Sequence, residues 1–356
     1  MRWIVVLLAC LVITGSQAQK KKTTYADGLY AEVSTTKGLI VLQLEFEKAP
    51  VAVASFVGLA EGTIDNAVLA PGKPYYDGSR WHRVVPGHVI QCGMPANSTA
   101  GSPGYEYPNE IVAGLSHDHA GAVGVANSGP HTNGSQWYIT LADRSYLDGD
   151  YTVFGHVVKG MEVITTITQE DLIKTIKIMR VGKAAESFRP TTGSFRTMVE
   201  ETKIRVRERE EQQRAEEEAY IRQQWPDARP LIRYQVIAEG EGARSKPGTV
   251  LTMRYTGKFP NGESFVSTAD DGKPWYGTNP EPFSYVVGTT SINPGFDAGV
   301  SRMRKGEKRV LIVPADQAYG AGGYYPPERK GEKRFHVGPN RTLIYEVEVL
   351  AAAPGK

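Results

Sequence analysis

Between residues 81 and 93 two short runs of β-branched and aromatic residues flank Pro86-Gly87, a pattern that reads as a β-hairpin. A trans-Pro/Gly pair favours a type II turn, whose twist suits a two-residue hairpin poorly, so a wider loop or a bulge is expected. One bulged residue sets Arg83 across from Gln91. These two polar groups then stand on a ribbon otherwise made for burial, with His82 and His88 as lesser exceptions. Taken alone, Arg83 reads equally well as a rim arginine in a surface ion pair. A second stretch, residues 124–139, is a loop of turn formers (Asn127, Ser128, Gly129, Pro130) running into an alternating strand.

At 356 residues the chain has room for two ordinary domains and a linker. A net charge of +2 offers nothing to draw nucleic acid or a strongly charged membrane surface. Lys20-Lys21-Lys22 reads as a short solvated run. Arg2 followed by the apolar run 3–13, with Ser16-Gln17-Ala18 behind it, has the parts of an export signal and its cleavage site. Residues 1–18 are therefore expected to be a signal peptide. The run is too short to span a bilayer, so no transmembrane span is expected in the mature chain. A rival reading takes Leu7-Leu8-Ala9-Cys10 as a lipoprotein box, which leaves almost no apolar run ahead of Cys10. The signal type points to a periplasm, with secretion or a lipid anchor as alternatives. Only two cysteines occur and Cys10 lies in the signal, so Cys92 has no intramolecular partner. Its place in the hairpin suits a buried, inert thiol.

Taken in order, Tyr30 to Glu47 alternates as two strands around Thr35-Thr36-Lys37-Gly38. Pro50 suits a first helical position, residues 51–60 are apolar nearly all round, and Gly62 ends the buried helix that results. Residues 161–167 suggest a second helix and 173–181 a last strand. Strands interleaved with only two helices suggest a closed antiparallel barrel. Over 197–226 charged residues and strong helix formers crowd a segment with a thin apolar face, ended by Pro226 and Pro230. It reads as a solvated helical spacer; a weak coiled-coil contact is the alternative, without a sustained heptad behind it. From Leu231 a second domain begins, with alternating strands around a short helix that starts at Pro294 and carries Phe296, Val300 and Met303 on one side.

The two stretches at 81–93 and 124–139, their spacing, Tyr146-Leu147-Asp148-Gly149 and Val153-Phe154-Gly155 together resemble the cyclophilin family of peptidyl-prolyl isomerases, over roughly residues 28–186. The runs at 250–257, 260–265, 282–288, 292–300, 313–320 and 343–350 resemble an FKBP domain, the other large family of prolyl isomerases, over roughly 229–352. The resemblance implies a mainly β chain. Its parts are a cyclophilin-like closed eight-stranded antiparallel barrel with two helices, a charged helical linker, and an FKBP-like α+β antiparallel sheet around one short helix. It further implies a peptidyl-prolyl cis-trans isomerase with two catalytic domains, acting on unfolded or extended polypeptides with X-Pro bonds; with the export signal, its expected role is in the folding of exported proteins. No cofactor and no metal are implied.

An X-Pro bond is a tertiary amide whose rotation faces a barrier of roughly 18–20 kcal/mol from lost C–N resonance. At the top of that barrier the amide is twisted and the proline nitrogen regains a basic lone pair. A donor aimed at that nitrogen stabilises the twisted form and is idle for the planar one. A guanidinium suits the role, being charged at all working pH. One charge-assisted hydrogen bond gives roughly 1.5–3 kcal/mol, whereas a 10⁵-fold acceleration needs about 7. Orientation of the chain and a dry site must supply the rest.

By resemblance, Arg83 is that donor and Gln91 holds the arginine or the substrate carbonyl. Ala126 and Asn127 pair with the substrate backbone, supported by Gln136. The proline ring sits against Val89, Tyr138 and Leu147. Several positions depart from the family pattern: His88 and Tyr138 where phenylalanine is common, Val89 for a frequent methionine, Tyr146 for tryptophan and Tyr151 for histidine. In the FKBP-like part the matching positions give an aromatic box of Tyr255, Phe265, Phe283, Phe296, Tyr319 and Tyr345, with Ile292, Asn293 and Val337. An aromatic cluster also reads as plain core. Val266 stands where aspartate is usual and Asn293 where isoleucine is. Cyclosporin and macrolides are the families' drug ligands. Tyr146, which removes an indole donor, and Val266, which removes a carboxylate, argue against tight binding of either.

Other constellations carry less. His117-Asp118-His119 has no evident third metal ligand, and Gly320-Ala321-Gly322-Gly323 lacks the strand-to-helix setting of a phosphate loop. Serine–histidine nucleophile chemistry has no local signature. The rival function is a proline-segment-binding chaperone or scaffold in which the FKBP-like domain, or both, binds without efficient turnover; a purely structural envelope protein would do neither.

Overall fold

The computed structural model describes residues 25–96, 102–226, 233–268, 282–289, 291–324 and 337–354. The expected signal peptide at 1–18 and Pro230 lie outside them. Among the described residues no helix is long and apolar enough to cross a membrane.

The first domain is an eight-stranded antiparallel sheet. Its strands are β1 (Gly28–Thr35), β2 (Leu39–Leu44), β3 (Arg83–Val85), β4 (Val89–Cys92), β5 (Ala122–Val125), β6 (Trp137–Thr140), β7 (Val153–Lys159) and β8 (Ile173–Val181). They lie in the order β3-β4-β6-β5-β7-β2-β1-β8. The sheet curls until its ends meet, but β3 and β8 share no ladder. The seam is made just ahead of them, by a bridge between Arg80 and Leu172 and by the Trp81 N–H donating to the Asp171 carbonyl at 2.9 Å.

Helix α1 (Pro50–Glu61) has Pro50 in its first turn and is buried from Val51 to Ala60, as its all-round apolar sequence requires. Gly62 ends it in the left-handed region, φ 73°. Ala49 has no side chain to cap the first turn, and Glu110 does so from a distant loop, accepting from the N–H groups of Val51 (3.1 Å) and Ala52 (2.8 Å). Trp81, Trp137 and Phe56 meet edge to face beneath the sheet, with centroids 5.4–5.5 Å apart. Cys92 is buried among them. The second helix, α2, is only Met161–Ile164, and an unforeseen short helix, α3 (Lys183–Ser187), follows β8.

The charged helix differs from the solvated spacer read from sequence. α4 runs over Thr192–Gln224, entered through a capping box of Thr191 and Ser194. Its first turns belong to the first domain: Phe195 and Val199 are buried in that core, and Phe195 lies 5.0 Å from the ring of Tyr105. These apolar residues fall at or just ahead of the charged window, so a reading centred on the charges missed the face they form. Farther along, Glu210 meets His131 at 3.4 Å, and Glu217 pairs with Arg341 of the second domain at 3.2 Å.

The second domain is a six-stranded antiparallel sheet of β9 (Arg233–Ala238), β10 (Val250–Lys258), β11 (Ser264–Ser267), β12 (Phe283–Val286), β13 (Lys308–Val313) and β14 (Leu343–Ala353). The order is β11-β10-β14-β13-β9, with β12 pairing the first half of β10. Helix α5 (Pro294–Val300) buries Phe296 and Val300 against it, with Met303 buried just beyond. The buried Arg309 donates to the Gly299 carbonyl at 2.7 Å and to Glu307 at 2.6 Å, which ties the end of α5 to β13.

Candidate functional site

The hairpin reaches its register through a three-residue loop of Pro86, Gly87 and His88, not through a bulge. The His88 N–H donates to the Val85 carbonyl at 3.0 Å, Gly87 has φ 69°, and Val85 faces Val89. Arg83 then faces Gln91, and Gln91 in turn faces Tyr138 on β6. Cross-strand partners share a face, so Arg83, Gln91 and Tyr138 form one row across three adjacent strands. Gln136 Oε1 accepts from Gln91 Nε2 at 3.0 Å, which turns the Gln91 carbonyl oxygen toward Arg83, whose Nη1 donates to it at 3.4 Å. The guanidinium is exposed at the end of this chain of amides.

Beside the row, Val89, Tyr138 and Leu147 form a small apolar cluster of their own, apart from the main core, with Ala126, Tyr146 and Tyr151 packed around it. Tyr151 meets Tyr138 edge to face at 6.1 Å. His88 and Tyr146 stack at 6.3 Å on the rim, and Arg144 Nε donates to His88 Nδ1 at 2.9 Å. The rim is therefore more polar than a phenylalanine–tryptophan pair would make it.

Opposite, the loop after β5 is held by its asparagines together with Asn109 from the segment ahead of β5. Asn127 Nδ2 donates to the Asp150 carbonyl at 3.0 Å, and Asn109 Nδ2 to the same oxygen at 2.7 Å. Asn133 is fully buried and donates to the Tyr107 carbonyl and to Asn109 Oδ1. The Ala126 N–H is engaged by the Gln136 carbonyl at 2.9 Å. Burial pushes the Asp150 carboxyl up to about 6.

In the second domain Phe265, Phe296, Val337 and Tyr345 are buried in the core, and Tyr255, Phe283, Ile292 and Tyr319 pack partly buried against them. Phe296 lies 5.2 Å from Tyr255 and 5.1 Å from Tyr345. Asn293 is buried and does two things at once. Its Oδ1 accepts from the Phe296 N–H at 2.9 Å as the cap of α5, and its Nδ2 donates to the Tyr345 hydroxyl at 2.9 Å. Tyr324, absent from the sequence reading, stacks on Tyr319 at 4.8 Å. Val266 is buried in the core, so the place expected of a carboxylate is filled by an apolar contact.

The family model for cyclophilin type peptidyl-prolyl cis-trans isomerase/CLD matches residues 30–183, and that for FKBP-type peptidyl-prolyl cis-trans isomerase matches 242–350. Peptidyl-prolyl cis-trans isomerase A of Mycobacterium tuberculosis is 42% identical over 132 residues, 36% of this chain and 72% of that one. The chain belongs to the cyclophilin-type peptidyl-prolyl isomerases, with an FKBP-type isomerase domain joined to it. A Helicobacter pylori peptidyl-prolyl cis-trans isomerase is 34% identical over 158 residues, 44% of this chain and 90% of that one. A solved cyclophilin type isomerase of Cryptosporidium parvum, 26% identical, covers 43% of this chain and 98% of its own, with a TM-score of 0.38. This cyclophilin–FKBP fusion is a peptidyl-prolyl cis-trans isomerase.

The fusion holds one constellation that sequence reasoning missed. His117 is fully buried within its loop; its Nε2 lies 2.8 Å from the Tyr138 hydroxyl and its Nδ1 2.6 Å from Asp148 Oδ1. Among the described residues no group of three or more histidine, cysteine, aspartate or glutamate side chains is placed to hold a metal ion. The available signal was Tyr138 itself, because a tyrosine at a position that usually carries phenylalanine needs a partner for its hydroxyl.

Proposed function

We propose that Arg83 is the donor that meets the proline nitrogen as the amide twists, and that the protein does this for polypeptides folding outside the cytoplasm. The observation that carries the first half is the row Arg83–Gln91–Tyr138 beside the apolar cluster of Val89, Tyr138 and Leu147. A proline ring against that cluster lies on the face of the sheet that Arg83 shares with Gln91 and Tyr138. Gln91, turned by Gln136, keeps the guanidinium fork facing the pocket. With the Ala126 N–H engaged, pairing to substrate falls to the Ala126 carbonyl and the Asn127 main chain. Water excluded by Tyr146, Leu147 and Tyr151 favours the less polar twisted amide.

The second half rests on the sequence of residues 1–18, with its charge, apolar run and small-x-small site. Its test is the N-terminus of the protein recovered from the periplasmic fraction, expected near Gln19. Recovery of full-length chain from the cytoplasm alone would overturn it.

A second reading, binding without efficient turnover, is favoured for the FKBP-type domain by Val266 in the core and by Asn293, whose amide is taken up by Tyr345 and α5. The test is a proline-limited peptide assay on the full chain carrying Arg83→Ala. If the second domain turns over by desolvation and a tyrosine donor, activity survives and Tyr319→Phe lowers it about fivefold or more, as loss of one hydrogen bond does. If the domain only binds, the turnover left is the first domain's roughly hundredfold-reduced remainder, and Tyr319→Phe leaves it unchanged.

A further inference from the structure

Tyr138 brings a hydroxyl to the cluster it forms with Val89 and Leu147, and its neighbours on β5 and at His117 define where that hydroxyl goes. The row Arg83–Gln91–Tyr138 continues to Gly124 on β5. A Cβ at Gly124 would lie 2.4 Å from Tyr138 Cζ and 2.5 Å from its hydroxyl oxygen. Position 124 is thus vacant where the tip of the phenol passes. Beyond it the hydroxyl reaches His117 Nε2. On the far side the Asp148 carboxylate accepts from the His117 ring, from the His117 main-chain N–H at 2.9 Å and from the Ser116 hydroxyl at 2.5 Å.

A carboxylate can only accept, so the His117 ring carries its proton on Nδ1 and presents a lone pair at Nε2. The phenol must then donate, and the direction of the whole chain is fixed. Burial holds the imidazole below its ordinary value, against the opposing pull of Asp148, which keeps the ring in the neutral form this arrangement needs. Asp148 also follows directly on Leu147, the wall of the pocket, and the Arg144 N–H donates to the His117 carbonyl at 2.7 Å. Floor and wall are therefore referred to one buried ring.

We propose that His117 and Asp148 are positioning residues for the isomerase: they draw the Tyr138 hydroxyl out of the proline pocket and lock its ring, so that substrate meets an aromatic face and not a hydroxyl with its attendant water. This rests on the reading of Val89, Tyr138 and Leu147 as the proline pocket.

The test is steady-state kinetics of the full chain on an Ala-Pro peptide, with the turnover that survives in Arg83→Ala subtracted. His117→Leu strands the phenol without an acceptor. The hydroxyl then turns to the pocket and takes water there, which substrate must displace in ground state and transition state alike. KM is expected to rise about tenfold, the size of one unsatisfied buried donor, with kcat within about threefold. Adding Tyr138→Phe removes the stranded group and recovers most of the loss. A fall in kcat with KM unmoved, or a rise in KM that Tyr138→Phe does not relieve, makes His117 a core filler and overturns the proposal. If His117→Leu fails to fold, the ring ¹⁵N shifts of the unmodified protein decide: an Nδ1–H tautomer supports the relay and an Nε2–H tautomer refutes it. Leu147→Ala separates this failure from that of the underlying reading, because it leaves KM unchanged only if the proline ring sits elsewhere.

Discussion

Arg83→Ala is expected to lower kcat/KM of the cyclophilin-type domain about a hundredfold while peptide affinity changes by less than about threefold. The asymmetry is the point of the experiment. A planar amide offers its nitrogen lone pair to the carbonyl and has nothing for the guanidinium to bind, so the contact exists only at the top of the barrier. Interactions confined to the transition state appear in kcat and not in KM. A hundredfold is about 2.7 kcal/mol, inside the range for a charge-assisted hydrogen bond and at the lower end for loss of a preorganised donor. Arg83→Lys should recover little. The Gln91 oxygen, 3.4 Å from Nη1, steadies one arm of a planar fork and leaves the other for the role proposed above, which an ammonium on a flexible stem cannot reproduce. A variant whose KM rises while kcat is retained would make Arg83 a binding residue only.

Gly93→Ala is expected to cost the first domain about 3 kcal/mol or more, lowering its melting temperature by roughly 6–12 °C. Gly93 closes β4 with φ 102°, and a Cβ there would lie 2.3 Å from the Ser135 carbonyl oxygen and 2.7 Å from Gln136 Cα. Both neighbours are main chain, so no side-chain rotation relieves the clash. The Gly93 carbonyl also accepts from the Ser135 hydroxyl at 2.8 Å. Forcing β4 and the approach to β6 apart stretches the Gln91–Gln136 contact, so turnover should fall further than the folded fraction does. Differential scanning calorimetry beside the peptide assay separates the two losses. An unchanged melting temperature would mean that the close approach of β4 to residue 135 is wrong.

Much of the fold could be read because its causes are local. Pro50 and Gly62 bracket α1, alternation marks β1 and β2, and Pro86-Gly87 marks the hairpin. Arg83 opposite Gln91 follows from counting residues across that loop, and a three-residue loop does what a bulge would have done. The register gained a meaning beyond the sheet only through resemblance. What escaped has a common character. His117 and Asp148 are 31 residues apart, and neither sits in a pattern that announces the other. Glu110 caps α1 from 58 residues away because nothing at Ala49 can. Asn293 looked like a departure in a ligand site, yet its side chain acts as a helix cap and a tie to Tyr345. Buried polar groups find partners wherever the fold brings them, and neither periodicity nor composition records such meetings.

The guanidinium rides on the strand that borders the unladdered seam. Heat or denaturant should part this cuff at its clasp, between Arg80 and Leu172, before Trp137 and Phe56 beneath it loosen. Catalysis would then fade while the aromatic core still reports a folded protein, and amide hydrogens along residues 83–85 would exchange ahead of those in β1 and β2.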